Sequence, residues 1–445
     1  MPLPLELLPL TAHRDPFGAL TLGGCALPDL VQRFGSPLYI YDRATLDAAA
    51  ARYQAALAAS YPGPGAVAYA AKAWLCTATA RWVAAHGLGL DVVSGGELAI
   101  ALHAGFPAAQ IHFHGNNKSR AELAAALAAG VGRIVVDHAG ELETINELAR
   151  GLGRRQPIWL RINPDITVDT HSHTRTGHAA SKFGLALTAS TAAAAVARAL
   201  ALPHLHLLGL HSHIGSQFRD PAPLAAATQR VMRFAGEMQR SSGWQMMEFS
   251  PGGGWAVPYT PAQAEGLLPV EEVLATLAAA VVAGCQEQAL PLPRLVVEPG
   301  RSLVARAGVA VYTVGAVKQA GDTLYAFIDG GLADNPRPAL YGATYHALLA
   351  NRQGAVERRR VHVAGPYCET GDVLIYDLEL PPLQPGDLLA VPVSGAYQLS
   401  MASNYNGALR PAVVWVEAGQ ARLVQRRETL ADLLRRDEEP DYPAD

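Results

Sequence analysis

From Ala66 onward, short β-rich apolar runs alternate with Ala-, Leu- and Glu-rich stretches whose apolar residues recur at helical spacing. The strand candidates are Ala66–Lys72, Leu88–Val93, Ile111–Gly115, Arg133–Asp137, Pro157–Asn163, Leu207–His213, Met246–Gly252 and Arg294–Pro299. Helix candidates fall between them at Cys76–His86, Gly96–Ala104, Arg120–Ala129, Glu141–Arg150, Ala189–Ala201, Leu224–Gln239 and Val270–Gln288. Eight strands and seven helices within about 235 residues match the count of an α/β fold, the (β/α)8 TIM-type barrel of ~250 residues. An open doubly wound sheet would more often carry fewer strands and a GxGxxG turn after the first, and neither is present.

After Gly300 the helical period fades. The runs Gly308–Val317, Thr323–Asp329, Arg359–Ala364, Asp387–Val393 and Ala412–Val416, separated by Gly/Pro turns, predict a mostly antiparallel β-sandwich second domain. The expected division is a barrel over 35–299, a two-segment β domain from 1–34 and 300–437, and an acidic tail over 438–445. The segment ahead of the barrel is too short to fold alone and is expected to add a strand to the β domain.

With 445 residues the chain can bury sizeable cores without covalent staples. Thirty-five Lys and Arg against 39 Asp and Glu leave a formal charge of -4, so electrostatics give no reason to expect nucleic acid or an anionic membrane surface. No apolar run is long enough to span a bilayer, and Met1–Pro16 lacks the basic region of a leader peptide. The cysteines Cys25, Cys76, Cys285 and Cys368 are far apart and form no CxxC pair, which argues against a disulfide framework or a structural zinc site. A cytoplasmic enzyme acting on a small molecule is the expectation.

Barrel chemistry collects at the C-terminal strand ends. Those ends carry Lys72, then His112, His114 and Asn116, then Arg161 and Asn163, then His211 and His213, then Gly252, Gly253 and Gly254, and finally Glu298 and Arg301. Packing layers alone would place Val, Ile and Leu there. Lys72 follows an apolar run, where burial would lower its pKa and make it a nucleophile, although a lysine at a strand end is commonly just a solvated edge. The glycine triplet suits a phosphate, since backbone N–H groups can approach it closely, but it also suits a plain turn. His213 by itself fits a core histidine, and Glu298 with Arg301 fits a surface ion pair. Together the lysine, the phosphate cradle, the imidazole and the carboxylate are what pyridoxal 5'-phosphate requires.

The chain resembles the fold-type III pyridoxal-phosphate-dependent decarboxylases, and among them the diaminopimelate decarboxylases. The motifs that carry the resemblance are Tyr69-Ala-Ala-Lys72-Ala, Asp91-Val-Val-Ser-Gly-Gly-Glu97, His114-Gly-Asn-Asn-Lys-Ser119, Ser181-Lys-Phe-Gly184 and Gly209-Leu-His-Ser-His-Ile-Gly-Ser-Gln217. The glycine triplet and Glu298-Pro-Gly-Arg-Ser302 follow, then Arg337-Pro-Ala-Leu-Tyr-Gly342, Gly365-Pro-Tyr-Cys-Glu-Thr-Gly-Asp372 and Met401-Ala-Ser-Asn-Tyr-Asn406. They run in order over nearly the whole chain.

The resemblance implies a carboxy-lyase that converts meso-2,6-diaminopimelate to L-lysine and CO2 in lysine biosynthesis, as a homodimer with shared sites. It casts Lys72 as the lysine that bonds the cofactor and His213 as the ring that stacks on it. Glu298 would face the pyridine nitrogen, and Gly252–Gly254 with Ser216 and Tyr405 would hold the phosphate. Pro299, Gly300 and Arg301 continue that cofactor segment. Cys368 would be the proton donor, contributed by the neighbouring subunit. Glu369, Arg301, Arg337, Tyr341 and Tyr405 would bind substrate. A distal carboxylate and a distal ammonium call for arginine and an acid, whereas ornithine or lysine would leave two arginines unpaired.

Departures from the family pattern are Trp74 after Ala73, extra His and Arg between His171 and Ala180, Thr370, and Asp329-Gly-Gly-Leu332. Trp74 either narrows the site or packs behind the lysine. The rival readings are four. The His-x-His pairs 112/114, 171/173, 204/206 and 211/213 would suit a zinc hydrolase. A cofactor-buffering protein would need only the barrel. A decarboxylase for carboxynorspermidine, ornithine or arginine would share the fold. An alanine-racemase-like enzyme would set an arginine where Glu298 stands.

Overall fold

The computed structural model describes residues 3–166 and 182–438. These fall into two compact units, one within 47–257 and 263–304, the other within 1–46, 258–262 and 305–438. The first unit therefore begins later than residue 35, omits a short stretch at 258–262 and extends past residue 299.

The first unit is a closed barrel of eight parallel strands: β1 (Gly65–Ala70), β2 (Gly89–Val92), β3 (Ile111–Phe113), β4 (Arg133–Val136), β5 (Gln156–Asn163), β6 (Leu205–His211), β7 (Glu248–Gly252) and β8 (Arg294–Val297). The ring closes where β8 pairs with β1, Leu295 lying opposite Gly65. Helices alternate with the strands as the periodicity predicts, and their ends have local chemistry. Arg120–Ala129 starts at a capping box in which Ser119 and Glu122 satisfy each other's backbone N–H groups, and it stops at left-handed Gly130. Helix Arg43–Ser60, which precedes β1, was not among the sequence expectations.

Across the barrel interior, Ala68, Val135, Trp159, Leu208 and Val296 form a buried apolar layer. Inward positions recur every second residue, so the next layer toward the C-terminal end is set by register. Asp91 lies opposite His112, and His211 lies between Arg161 and Ser250. That second layer is polar.

The strands end earlier than their apolar runs suggest. β1 stops at Ala70, so Lys72 sits in a 3-10 turn, Ala71–Ala73, and not in the strand. His114 and His213 likewise lie just beyond β3 and β6.

The second unit carries a nine-stranded sheet that is mixed, not purely antiparallel. Strand Gly308–Ala320 runs antiparallel to Leu38–Asp42, while Ala412–Glu417 runs parallel to Leu38–Asp42 and Thr323–Ile328 parallel to Arg359–Ala364. Leu38–Asp42 thus belongs to this sheet, although the expected boundary put it with the barrel. Strands Val373–Leu380 and Gln420–Gln425 also add to it. Residues 13–26 form a separate three-stranded sheet, and Leu8, Leu20, Leu22, Leu27 and Leu30 pack into one core with Ile40, Val309, Val311 and Val414. The 171–180 loop, its His171/His173 pair, Ser181 and tail residues 439–445 lie outside the described residues.

Candidate active site

The polar layer of the barrel is a connected network around Glu298. Its Oε1 accepts from the Ser250 hydroxyl at 2.6 Å, and its Oε2 lies 3.0 Å from His211 Nε2. His114 Nε2 stands 3.8 Å from the same carboxylate and 3.7 Å from Asp91, whose Oδ1 is 3.0 Å from His112 Nδ1. All these side chains are buried. Burial, reinforced by the negative charge of Asp91, pushes the Glu298 carboxyl up to about 7. Burial pushes Asp91 the same way, but hydrogen bonds and charge from His112 and His114 outweigh it, and its pKa ends well below the usual carboxylate range. His114 and His211 are held down by burial, with Arg161 acting next on His211. Arg161 itself stacks 4.5 Å over the Phe183 ring, 3.6 Å from Asp137.

Lys72 is exposed between buried Ala71 and Ala73, so the burial expected of it is not found. Its turn is fixed from behind. The Tyr69 hydroxyl donates to the Trp74 carbonyl at 2.6 Å and accepts the Trp74 N–H at 3.1 Å. Trp74 is 2% exposed, so it packs behind the turn. The lysine charge acts on Glu97, His211 and His213. His213 is half-buried; burial first, then Lys72, holds it well below the ordinary imidazole value, and Gly253 N–H donates to its Nδ1 at 3.4 Å.

The glycine triplet leaves β7 at this end, and its lack of side chains is required by close backbone approach. A Cβ on Gly253 would lie 2.2 Å from the Glu298 carbonyl oxygen, and one on Gly254, at φ +115°, 2.1 Å from that of Gly215. Pro299 accepts from Ala70 N–H at 3.2 Å, and a Cβ on Gly300 would crowd Ala70 and Ala73. Arg301 is buried and donates to Ser216 Oγ at 3.1 Å. The unit thus gathers Lys72, His213, Ser216, Gly252–Gly254, Glu298, Pro299, Gly300 and Arg301 around one barrel end. Asp91 and Ser250, which complete the network, were not among the expected site residues: Asp91 opens one of the resemblance motifs without an assigned role, and Ser250 has no signal beyond inward register.

In the second unit, Cys368, Glu369 and Tyr405 come together. Tyr405 Oη donates to Glu369 Oε1 at 2.6 Å, and Cys368 N–H donates to Asn406 Oδ1 at 3.1 Å. Cys368 and Glu369 are exposed. Arg337 and Tyr341 bound a short helix. Arg337 is buried, donates to the Tyr345 hydroxyl and lies 4.7 Å from the Tyr259 ring centre, so part of its donor fork is engaged within its own unit.

Carboxylate and imidazole atoms of His114, His211 and Glu298, and of Asp91, His112 and Glu298, fall within 4.8 Å of one another. The zinc reading gains that much, but Ser250, His211 and His112 already bond these carboxylates, and Lys72 and the glycines would have no part. His204 and His206 stand at the opposite, N-terminal end of β6.

The donor set fits pyridoxal phosphate. An exposed amine in the turn after β1, a carboxylate just past β8 and side-chain-free backbone leaving β7 stand at the ends of three neighbouring strands, matching an aldehyde, a ring nitrogen and a phosphate. Residues 43–305 match the family described as pyridoxal-dependent decarboxylase, pyridoxal binding domain. A diaminopimelate decarboxylase from Synechocystis sp. is 43% identical over 97% of this chain and 93% of its own length. One from Bacillus subtilis is 42% identical over 96% of this chain and 97% of its own. Among solved structures, a diaminopimelate decarboxylase from M. jannaschii, also determined in complex with L-lysine, superposes with a TM-score of 0.89 at 34% identity over 97% of this chain and 98% of its own. A lysine/ornithine decarboxylase from Vibrio vulnificus, at 22% identity over 88% of this chain and 97% of its own with a TM-score of 0.73, shares the fold. With relatives above 40% identity along almost the entire length and a cofactor-type donor set at one barrel end, the chain belongs to the family of pyridoxal-dependent diaminopimelate decarboxylases.

Proposed function

We propose that this chain decarboxylates meso-2,6-diaminopimelate to L-lysine and CO2. The observation that carries the reading is the placement of Lys72, Glu298 and the glycine triplet at the ends of three adjacent strands of one barrel. Pyridoxal phosphate, when bound, supplies an electron sink for the bond between the α-carbon and the departing carboxylate. The chain's own residues do the rest. Lys72 Nζ would hold the cofactor covalently. The backbone N–H groups of Gly252–Gly254, with Ser216 and Tyr405, would hold its phosphate. His213 would pack against its ring, and Glu298 would keep a proton at the ring nitrogen, so that negative charge left on the α-carbon is neutralised within the site. Cys368 Sγ returns a proton to that carbon. Arg301, Arg337, Tyr341 and Glu369 orient the far end of the substrate through its second carboxylate and ammonium.

Glu369 and Tyr405 form one pair beside Cys368 on an exposed edge, which suits a site completed by a second copy of the chain. The enzyme is therefore a homodimer with shared sites. The four cysteines are free, consistent with work in the reducing cytoplasm. Among the described residues no helix is long and apolar enough to cross a membrane.

Purified protein supplied with pyridoxal phosphate and meso-diaminopimelate should yield lysine and CO2, identified by chromatography. Turnover of ornithine, arginine or carboxynorspermidine in its place would move the substrate while keeping the chemistry. In sedimentation the active species should be a dimer, and a fully active monomer would refute the shared site.

A further inference from the structure

Glu298 has a partner on each oxygen before any ligand arrives, and one of them, His211, has no role in the reaction as described so far. His211 lies in register between Arg161 and Ser250, so its ring enters the barrel interior beside Ser250, toward Glu298. The two side chains are 2% and 7% exposed. We propose that His211 is a positioning residue for this reaction: its Nε2–H, together with the Ser250 hydroxyl, fixes Glu298 in orientation and biases it toward the carboxylate. The proposal rests on Glu298 being the partner of the pyridine nitrogen.

Hydrogen-bond accounting decides which atom donates. His211 Nδ1 is buried and lacks a partner among the described residues. If Nδ1 carried the proton, a buried N–H donor would stand unsatisfied, which is rarer and more costly than an unused acceptor lone pair. The proton therefore sits on Nε2, 3.0 Å from Glu298 Oε2, and the carboxyl oxygen accepts. The ring is neutral in this arrangement, since burial and the nearby Arg161 and Lys72 all oppose its protonation.

The rest of the layer makes these donors matter. Asp91 on β2, His112 on β3, His114 just past β3 and Arg161 on β5 act on Glu298, while Arg161, Asp91, Asp137 and Lys72 act on His211, with His213 close by. Burial and the Asp91 charge favour a neutral acid at Glu298. A neutral acid could donate to a ring nitrogen but could not retain a proton there. Two donors aimed at the carboxylate from behind oppose that outcome, as hydrogen bonds to an ionised form do in general.

The test uses the wild-type chain, His211→Phe, which keeps bulk without a donor, His211→Gln, which restores one, and Glu298→Gln. Nitrogen-15 NMR of histidine-labelled, cofactor-free wild type should show His211 protonated on Nε2. With pyridoxal phosphate labelled at its ring nitrogen, the wild-type signal should be that of a protonated pyridine, shifting toward the neutral form in His211→Phe and returning in His211→Gln. In the same series kcat should fall about tenfold in His211→Phe, the scale of one pKa unit, with KM nearly unchanged. An Nδ1–H tautomer in the wild type overturns the proposal even if the Phe variant fails to fold. So does a His211→Phe protein whose ring-nitrogen signal matches wild type. A Glu298→Gln protein whose signal matches wild type would instead remove the reading of Glu298, and the proposal with it.

Discussion

The loop that carries His114 away from β3 is tied down by a buried ion pair, and replacing its lysine should be severe. Lys118 Nζ lies 2.8 Å from Glu141 Oε1 and donates to the carbonyls of Gly115 at 2.6 Å and Val135 at 2.8 Å. The Glu141 Oε2 atom accepts the Asp137 N–H at 2.7 Å. The side chains of Lys118 and Glu141 are 1% and 2% exposed, so Lys118→Met strands an anion and two carbonyls away from water. Removing one partner of a buried pair costs about 3–5 kcal/mol. Arg120–Glu147 provides an internal control. It is also a bonded pair, two residues further on, but its side chains are 57% and 54% exposed, where water screens the charges and the pair contributes little.

Five of the six tryptophans, Trp74, Trp82, Trp159, Trp244 and Trp255, lie in the barrel unit, so their fluorescence in a denaturant titration reports its unfolding. Lys118→Met should move that transition far more than Arg120→Met. The double variant Lys118→Met/Glu141→Leu should recover part of the loss, because the buried anion is gone while the two carbonyls stay unsatisfied. Equal shifts for Lys118→Met and Arg120→Met, within about 0.5 kcal/mol, would refute the reasoning.

The remaining predictions concern the site directly. Gly253→Ala places a Cβ 2.2 Å from the Glu298 carbonyl and must part β7 from β8, costing about 1–3 kcal/mol and weakening cofactor binding; unchanged affinity in a pyridoxal phosphate titration would contradict it. Lys72→Ala should lose both the yellow colour of the loaded protein and turnover, and wild-type turnover would sink the assignment. Cys368→Ala should keep the cofactor and slow product formation; a variant that instead fails to bind pyridoxal phosphate would make the residue structural. In the cofactor-free protein Glu298 holds its proton more tightly folded than unfolded, so ionising it costs stability increasingly between pH ~4.5 and about 7. Glu298→Gln should therefore gain on wild type as pH rises through that window, by up to about 3 kcal/mol. A difference that stays flat or shrinks in calorimetry across the window would exclude the raised pKa.

The barrel is legible in the sequence because its strand–helix beat is local, whereas what was missed depends on distant partners. Leu38–Asp42 falls inside the expected barrel boundary at residue 35, and only pairing with Gly308–Val311 and Ala412–Val416 assigns it to the second sheet. Ala66–Lys72 reads as one strand because Ala70 and Ala71 suit a strand or a turn equally. The Tyr69 hydroxyl, by bonding both polar groups of the Trp74 peptide backbone, turns the chain there. The His-x-His pairs at 204/206 and 211/213 look alike, but β6 separates them to opposite ends of the barrel.

Residue type alone also leaves Asp91 and Glu298 equivalent, two carboxylates at two strand ends. Register separates them. Asp91 lies opposite His112 and within reach of His114, so two imidazoles favour its charge. Glu298 has neutral donors in Ser250 and His211, and it faces Asp91 as a like charge across the layer. Burial acts on both, and the difference in neighbours sends one below the ordinary carboxylate range and the other above it. Opposite displacement of two nearby acids is the mark of groups with divided tasks. Asp91, anchored to His112, serves as fixed negative charge, and Glu298 alone among the two carries an acidity that a cationic ring nitrogen can reset on binding. Exchanging their acidities would require exchanging the strands that carry His112 and Ser250, which residue type alone does not show.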